Sequence, residues 1–207
     1  MAPNTPTVFV VDDDASVRQS IELLIESAGW QSETFASAQE FLTCPRPLTP
    51  CCLVLDLSLP DINGLELQKR IAVDRAGMPI IFISGYGDVP ITVQAMKAGA
   101  VEFLTKPYCS DVLLGAIRHA VEQSQATLER DTEFQTLQTR YSSLSHREKQ
   151  VMAHIVAGLL NKQVGGELGI SEITVKAHRG KVMRKMKAKS FATLVKMAET
   201  LRLHRNV

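Results

Sequence analysis

Residues 8–11, 53–56, 79–83 and 101–104 are short, largely apolar runs bounded by turn residues, the pattern of strands buried on both faces of a parallel sheet. A fifth and more polar run, 31–35, reads as an edge strand. Between the runs the apolar period changes: Val17, Ile21, Leu24 and Ile25 recur at helical spacing across 15–28, and Gly29 supplies the stop. Helices are predicted likewise over 38–42, 64–76, 90–98 and from near Ser110, with a proline-rich loop at 45–50. Five successive βα units with short links imply right-handed crossovers and an α/β doubly wound five-stranded parallel sheet, with 2-1-3-4-5 as the expected order.

The second half of the chain has no strand pattern. From Asp111 to about Arg140 there is no proline and one glycine, Gly115, so a single helix of roughly 45 Å at 1.5 Å per residue is predicted. Its apolar stripe is Leu114, Ile117, Val121 and Leu128, then Phe134, Leu137 and Tyr141 after a change of phase. Ser124 and Asp131 interrupt the heptad, which suits a helical spacer better than a coiled coil. Beyond it, Ser145-His146-Arg147-Glu148 is a capping box opening a helix that Gly158 closes. Asn161 is expected to cap a second helix, 162–168, ended by Gly169, and Ser171 to cap a third. Helix 190–203 completes four, with Phe191 and Leu194 assigned to the core and the rest of its stripe free for a dimer contact. A helix, a glycine turn and a second helix make the helix-turn-helix pattern, whose second member lies in the DNA major groove.

The strand ends carry the candidate chemistry. Asp56 closes the run 53–56, at the sheet edge where open α/β folds hold ligands; the alternative is a solvated Asp that merely opens the Pro60-Asp61 turn. The other ends favour the first reading. Run 8–11 leads into Asp12-Asp13-Asp14, 79–83 into Ser84-Gly85, and 101–104 into Thr105-Lys106-Pro107. Parallel strands would open all of these on one crevice. Clustered carboxylates repel unless a cation lies between them, and oxygen ligands suit Mg²⁺ (or Mn²⁺). With a metal in place one carboxylate can attack a phosphoryl donor, while Lys106 and the Ser84 hydroxyl take up charge on the transferred group.

Residues 1–122 resemble the receiver domain of a two-component response regulator. The matching pieces are Val11-Asp12-Asp13, Asp56 in Asp-x-x-x-Pro with Gly64 eight residues on, Ser84-Gly85 and Lys106-Pro107. The resemblance implies Asp56 as phosphoacceptor, Asp13, Asp56 and the Ser58 backbone carbonyl as metal ligands assisted by Asp12, Ser84 as switch hydroxyl, Phe103 as switch aromatic and Lys106 as phosphate-binding lysine. It also raises the odds of a cis bond at Lys106-Pro107.

A net charge of +1 hides a division. Residues 1–122 hold 8 Lys/Arg against 15 Asp/Glu, whereas 142–207 hold 13 against 4, so the C-terminal part suits a polyanion. With 45% hydrophobic and 22% charged residues the 207-residue chain has the composition of a globular protein of two domains. No apolar run reaches membrane-helix length and the N-terminus lacks a signal-like segment, so a cytoplasmic protein without membrane association is expected. Cys44, Cys51, Cys52 and Cys109 lack metal-ligand spacing and read as small buried hydrophobes or free thiols, the Cys51-Cys52 pair leaving a redox sensor open.

A second resemblance covers about 142–207. Leu144-Ser-His-Arg-Glu148, Asn161-Lys162 and the segment 168–178 are similar to the all-α four-helix DNA-binding domain of the LuxR/NarL/FixJ type. On the third helix Val175, Val182 and Met186 line one side. The resemblance implies that Lys176, Ala177 and the position of Gly180 face base edges, with Thr174, His178 and Arg179 nearer phosphates; Lys181 and Arg184, also turned away from the apolar line, are further candidates for DNA contact. Gly165 and Gly166 depart from the helix-favouring residues usual there, each weakening a helix interior by roughly 0.5–1 kcal/mol.

Three segments are therefore expected: a receiver over 1–122, a helical linker over 123–141 and a DNA-binding domain over 142–207. The implied partners are a sensor histidine kinase, promoter DNA and RNA polymerase, with a homodimer formed on phosphorylation. Two rivals remain. A haloacid-dehalogenase-type phosphatase would need Asp-x-Asp after its first strand, where Ser58 stands here, and an RNA-binding output conflicts with the narrow A-form major groove.

Overall fold

The computed structural model describes residues 5–203 apart from 46, 76, 86 and 87, and the backbone but not the side chains of 202 and 203. The chain divides into two compact units, Met1–Glu129 and Arg130–Val207. The predicted end of the third helix at 76 and the N-terminal residues 1–4 lie outside the described residues.

In the first unit strands β1 (Thr7–Val11), β2 (Gln31–Phe35), β3 (Cys51–Asp56), β4 (Ile80–Ser84) and β5 (Glu102–Thr105) form one parallel sheet in the order β2-β1-β3-β4-β5. Helices α1 (Ala15–Ser27), α2 (Ala38–Thr43), α3 (Gly64–Asp74), α4 (Val89–Lys97) and α5 (Ser110–Ser142) follow the strands in turn. Successive strand side chains point to opposite faces, and this splits the core in two. Phe9, Val11, Leu53, Leu55 and Phe82 pack with Phe41, Leu67 and Ile71 on one face; Val8, Val10, Val54, Ile81 and Ile83 pack with Ile21, Ile25, Leu113 and Ile117 on the other. Each such fully buried side chain contributes about 1.5–3 kcal/mol. Cys51 and Cys52 fall into different faces as small core residues, and burial pushes the Cys52 thiol up, away from the thiolate a redox sensor needs.

The stripe on α5 is buried at Ile117 and Val121 as predicted and differs at its start, where Leu113 takes the place of Leu114. Leu113, Ile117, Ala120 and Val121 are buried, whereas Leu114 is only half-buried. Ser124 is not a break: it is buried, and its Oγ accepts the Cys51 backbone N–H at 3.0 Å, tying α5 to the start of β3.

The second unit comprises the end of α5 and helices α6 (His146–Val156), α7 (Asn161–Leu168), α8 (Glu172–Met186) and α9 (Phe191–Leu203). Leu144, Val151, Ile155, Val164, Val175, Val182, Met186 and Leu194 form its core together with Leu137 of α5. The Ser145–Glu148 capping box forms as predicted. Two expectations are corrected. Asn161 is the first helical residue of α7 and not its cap; the Leu160 N–H is satisfied by the Gln163 side chain at 2.8 Å. Phe191 is not core: it is 38% exposed, its ring 5.1 Å from the Arg179 guanidinium.

Candidate functional site

The sheet register brings the predicted groups together. Val11 pairs with Leu55 and Ser84 with Thr105, so Asp12, Asp56, Ser84 and Lys106 all stand at the carboxyl edge of the sheet. Asp56 and Ser84 end their strands, and Asp12 and Lys106 follow theirs by one residue. Lys106 Nζ donates to Asp12 Oδ2 at 2.7 Å and lies 3.6 Å from Asp56 Oδ1. Carboxylate oxygens of Asp12, Asp13 and Asp56 fall within 4.8 Å of one another, with Asp12 and Asp56 buried and Asp13 exposed. The Lys106-Pro107 bond is cis, as expected.

The electrostatics follow from this crowding. Burial pushes the Asp56 carboxyl above its ordinary range; Lys106 opposes the shift, and Asp12 and Asp13 add to it. Burial by itself would lower the Lys106 ammonium, but the Asp12 hydrogen bond and the charges of Asp12 and Asp56 outweigh it and hold it above its usual value. Three carboxylates against one ammonium leave two negative charges, the deficit a divalent cation cancels, and an all-oxygen donor set fits a hard ion of the Mg²⁺ type.

Not every residue of the acidic run belongs to the site. Asp14 caps α1, accepting from the backbone N–H groups of Ser16 and Val17. Ser84 is fully buried, its carbonyl accepting the Lys106 N–H at 2.7 Å. Phe103 is half-buried with its ring stacked on Phe82 at 6.0 Å, and Ser58 is exposed on the turn after β3. Sequence reasoning missed Arg18, which donates to the Asp12 carbonyl, and Tyr108, half-buried close to Lys106. It also missed Asp61, whose carboxylate accepts the backbone N–H groups of Ala38 and Gln39 at the start of α2. Of these, Arg18 alone left a signal, at helical spacing after the acidic run.

On α8, Val175, Val182 and Met186 are buried as predicted. Lys176, Ala177, Lys181 and Arg184 are exposed, Lys176 pairing with Glu172 at 2.9 Å. Thr174, His178 and Arg179 are half-buried: the Thr174 hydroxyl meets Ser171 Oγ at 2.8 Å, and the Arg179 guanidinium meets Asn161 Oδ1 at 3.4 Å. Thr174 is thereby oriented by the N-cap, and Arg179 by α7 and, through Phe191, by α9. Lys185 is committed to structure, donating to Glu148 Oε2 at 2.6 Å.

An acid-rich crevice at the carboxyl edge of a 2-1-3-4-5 sheet, followed by a basic helix-turn-helix bundle, defines a two-component response regulator that acts as a transcription factor. The response regulator receiver domain family matches residues 8–118, and the family described as bacterial regulatory proteins, luxR family, matches residues 142–198. Nodulation protein W of Bradyrhizobium diazoefficiens is 46% identical over 199 residues, covering 96% of this chain and 88% of that protein. The transcriptional regulatory protein FixJ of the same species is 41% identical over 191 residues, 92% of this chain and 93% of its own. The low-resolution structure of response regulator StyR superimposes with a TM-score of 0.84 at 47% identity, covering 94% of this chain and 98% of its own. The chain belongs to the FixJ/NarL-type response regulators, a family of transcriptional regulators and not of enzymes, which removes the phosphatase alternative. A kinase and DNA are its partners by class, and among the described residues no helix is long and apolar enough to cross a membrane.

Proposed function

We propose that Asp56 accepts a phosphoryl group from a sensor histidine kinase and that this modification controls promoter binding by α8. The observation that carries the proposal is the Lys106 ammonium bonded to Asp12 and 3.6 Å from the Asp56 carboxylate, at the strand edge. Asp12, Asp13, Asp56 and the Ser58 carbonyl would hold Mg²⁺ or Mn²⁺, which supplies charge neutralisation for phosphoryl oxygens. Asp56 Oδ1 provides the nucleophile, Lys106 balances the added charge, and the Ser84 hydroxyl donates to a phosphoryl oxygen. Phe103, stacked on Phe82 beside Ser84, follows the displacement of that hydroxyl as the switch aromatic. At the output, Lys176 and Ala177 face bases, Thr174, His178, Arg179, Lys181 and Arg184 lie along phosphates, and the unit contacts RNA polymerase once bound. Pairing two chains on phosphorylation places two α8 helices on one duplex and raises their effective concentration. The cytoplasm is where kinase, promoter and polymerase meet.

The test is phosphorylation of the full chain by a small acyl phosphate with Mg²⁺. The wild type should carry one acid-stable, base-labile phosphoryl group and Asp56→Asn none, because an amide is a poor nucleophile. Equal labelling of Asp56→Asn would reject the assignment.

A further inference from the structure

The outward face of α8 carries one residue that neither charge nor packing explains. Ile173 is 80% exposed. At 100° per residue it sits diametrically opposite the buried line of Val175, Val182 and Met186, at the centre of the face it shares with Lys176, Ala177, Gly180 and Arg184. Those neighbours are exposed, and a Cβ built on Gly180 would meet nothing within 4 Å, so this face of α8 is open to an approaching surface. A β-branched side chain in a helix is held almost entirely in one χ1 rotamer, so Ile173 presents a rigid apolar knob on a basic surface. Single exposed apolar residues are common elsewhere on proteins; here the position and not the exposure carries the argument. The major groove offers one apolar feature to such a knob, the C5-methyl group of thymine.

We infer that Ile173 is a specificity-determining residue that packs on the C5-methyl of a thymine adjoining the base faced by Lys176 and Ala177. The inference rests on α8 being the recognition helix and adds to it a chemical identity for one base. Lys176 alone gives a charged contact to a purine edge; Ile173 gives a contact that a methyl group, and nothing else in the groove, satisfies.

The experiment selects a duplex from a random pool with the phosphorylated full-length chain, then resynthesises it with deoxyuridine replacing thymidine one position at a time, which removes only the methyl. For the wild type, one replacement per half-site should weaken binding by about three- to tenfold, as burial of a single methyl predicts. Ile173→Ala should bind the thymine and uracil duplexes equally, at about the wild-type uracil level and with an unchanged salt slope, while Ile173→Val keeps part of the discrimination. Wild-type indifference to every replacement, a selected half-site without thymine, or full discrimination retained by Ile173→Ala would each overturn the inference. Failure of the recognition-helix reading itself looks different: Lys176→Ala would then leave both the selected sequence and the affinity unchanged.

Discussion

Asp56 and Glu148 are both buried carboxyls, yet their surroundings push them in opposite directions, and stability should report the difference. The folded-state pKa of Asp56 lies above its ordinary 3.8, so the folded chain holds that proton more tightly than the unfolded chain does. Ionising it therefore costs stability, a penalty that is absent at low pH and grows as pH rises above 3.8 through the folded value. At neutral pH without divalent metal, Asp56→Asn should melt higher than wild type, and millimolar Mg²⁺ should narrow the gap by stabilising the wild type. Scanning calorimetry checks both. Glu148 runs the other way: the Lys185 hydrogen bond first, then the Ser145 N–H, hold it below its ordinary 4.5. Its contribution is present above pH 4.5 and lost as pH falls through the folded value, so Glu148→Gln should flatten the acid-side loss of stability in the helical unit. Circular dichroism melts between pH 3 and 6 would show it, and an unchanged slope would remove Glu148 from the account. The clustered carboxylates were legible because acids closing apolar runs have no packing role. Asp14 and Asp61 were not separable from them, since a capping Asp and a metal-binding Asp look alike until the neighbouring N–H groups are located.

At the scale of the element, close approach decides which glycines matter. A Cβ on Gly64 would lie 2.8 Å from the Asp56 carbonyl and 3.1 Å from Leu57 Cα, so α3 can start against the end of β3 only without a side chain there. Gly64→Ala should cost about 1–3 kcal/mol by chemical denaturation and disturb the loop after Asp56 with it. The two glycines of α7 differ from each other. A Cβ on Gly165 would meet the Ile170 carbonyl at 2.7 Å, within the turn that Gly169 closes in the left-handed region at φ 64°, whereas Gly166 faces open space. Gly166→Ala should accordingly stabilise by about 0.5–1 kcal/mol and Gly165→Ala by clearly less, or destabilise. Equal effects would mean that the turn yields freely. Periodicity alone could not distinguish these positions, nor could it anticipate the buried Arg75. Its guanidinium donates to the Phe41 and Cys44 carbonyls and stacks 4.2 Å from the Phe41 ring, a polar core group visible only once α2 and α3 are packed.

For the whole molecule, the division of α5 between the two units is the new fact. The segment 123–141 was expected to be a spacer, yet Ser124 belongs to the first unit through β3, and Leu137 is buried in the second with Phe134 and Tyr141 packed beside it. A fragment beginning at 130 should therefore be more stable than one beginning at 142 by about 2–5 kcal/mol, the usual loss for a buried leucine truncated to alanine. Thermal unfolding of the two fragments decides it, and identical melting temperatures would restore the spacer reading. The alternation of apolar runs with helical stripes, the acid and lysine at the strand ends, and the charge division between halves are all properties of residue order. They were enough to determine a doubly wound sheet and an all-helical basic module, and to single out Asp12, Asp13, Asp56, Ser84 and Lys106 as candidates. Only the tertiary structure decided that Lys106 bonds Asp12 while standing 3.6 Å from Asp56, that Phe191 lies beside Arg179 and not in the core, and that Ile173 faces outward. The physical reason is that periodicity reports which side of an element is apolar, whereas distances between side chains on different elements depend on register and helix phase, and one residue of phase, as between Leu113 and Leu114, reassigns what is buried.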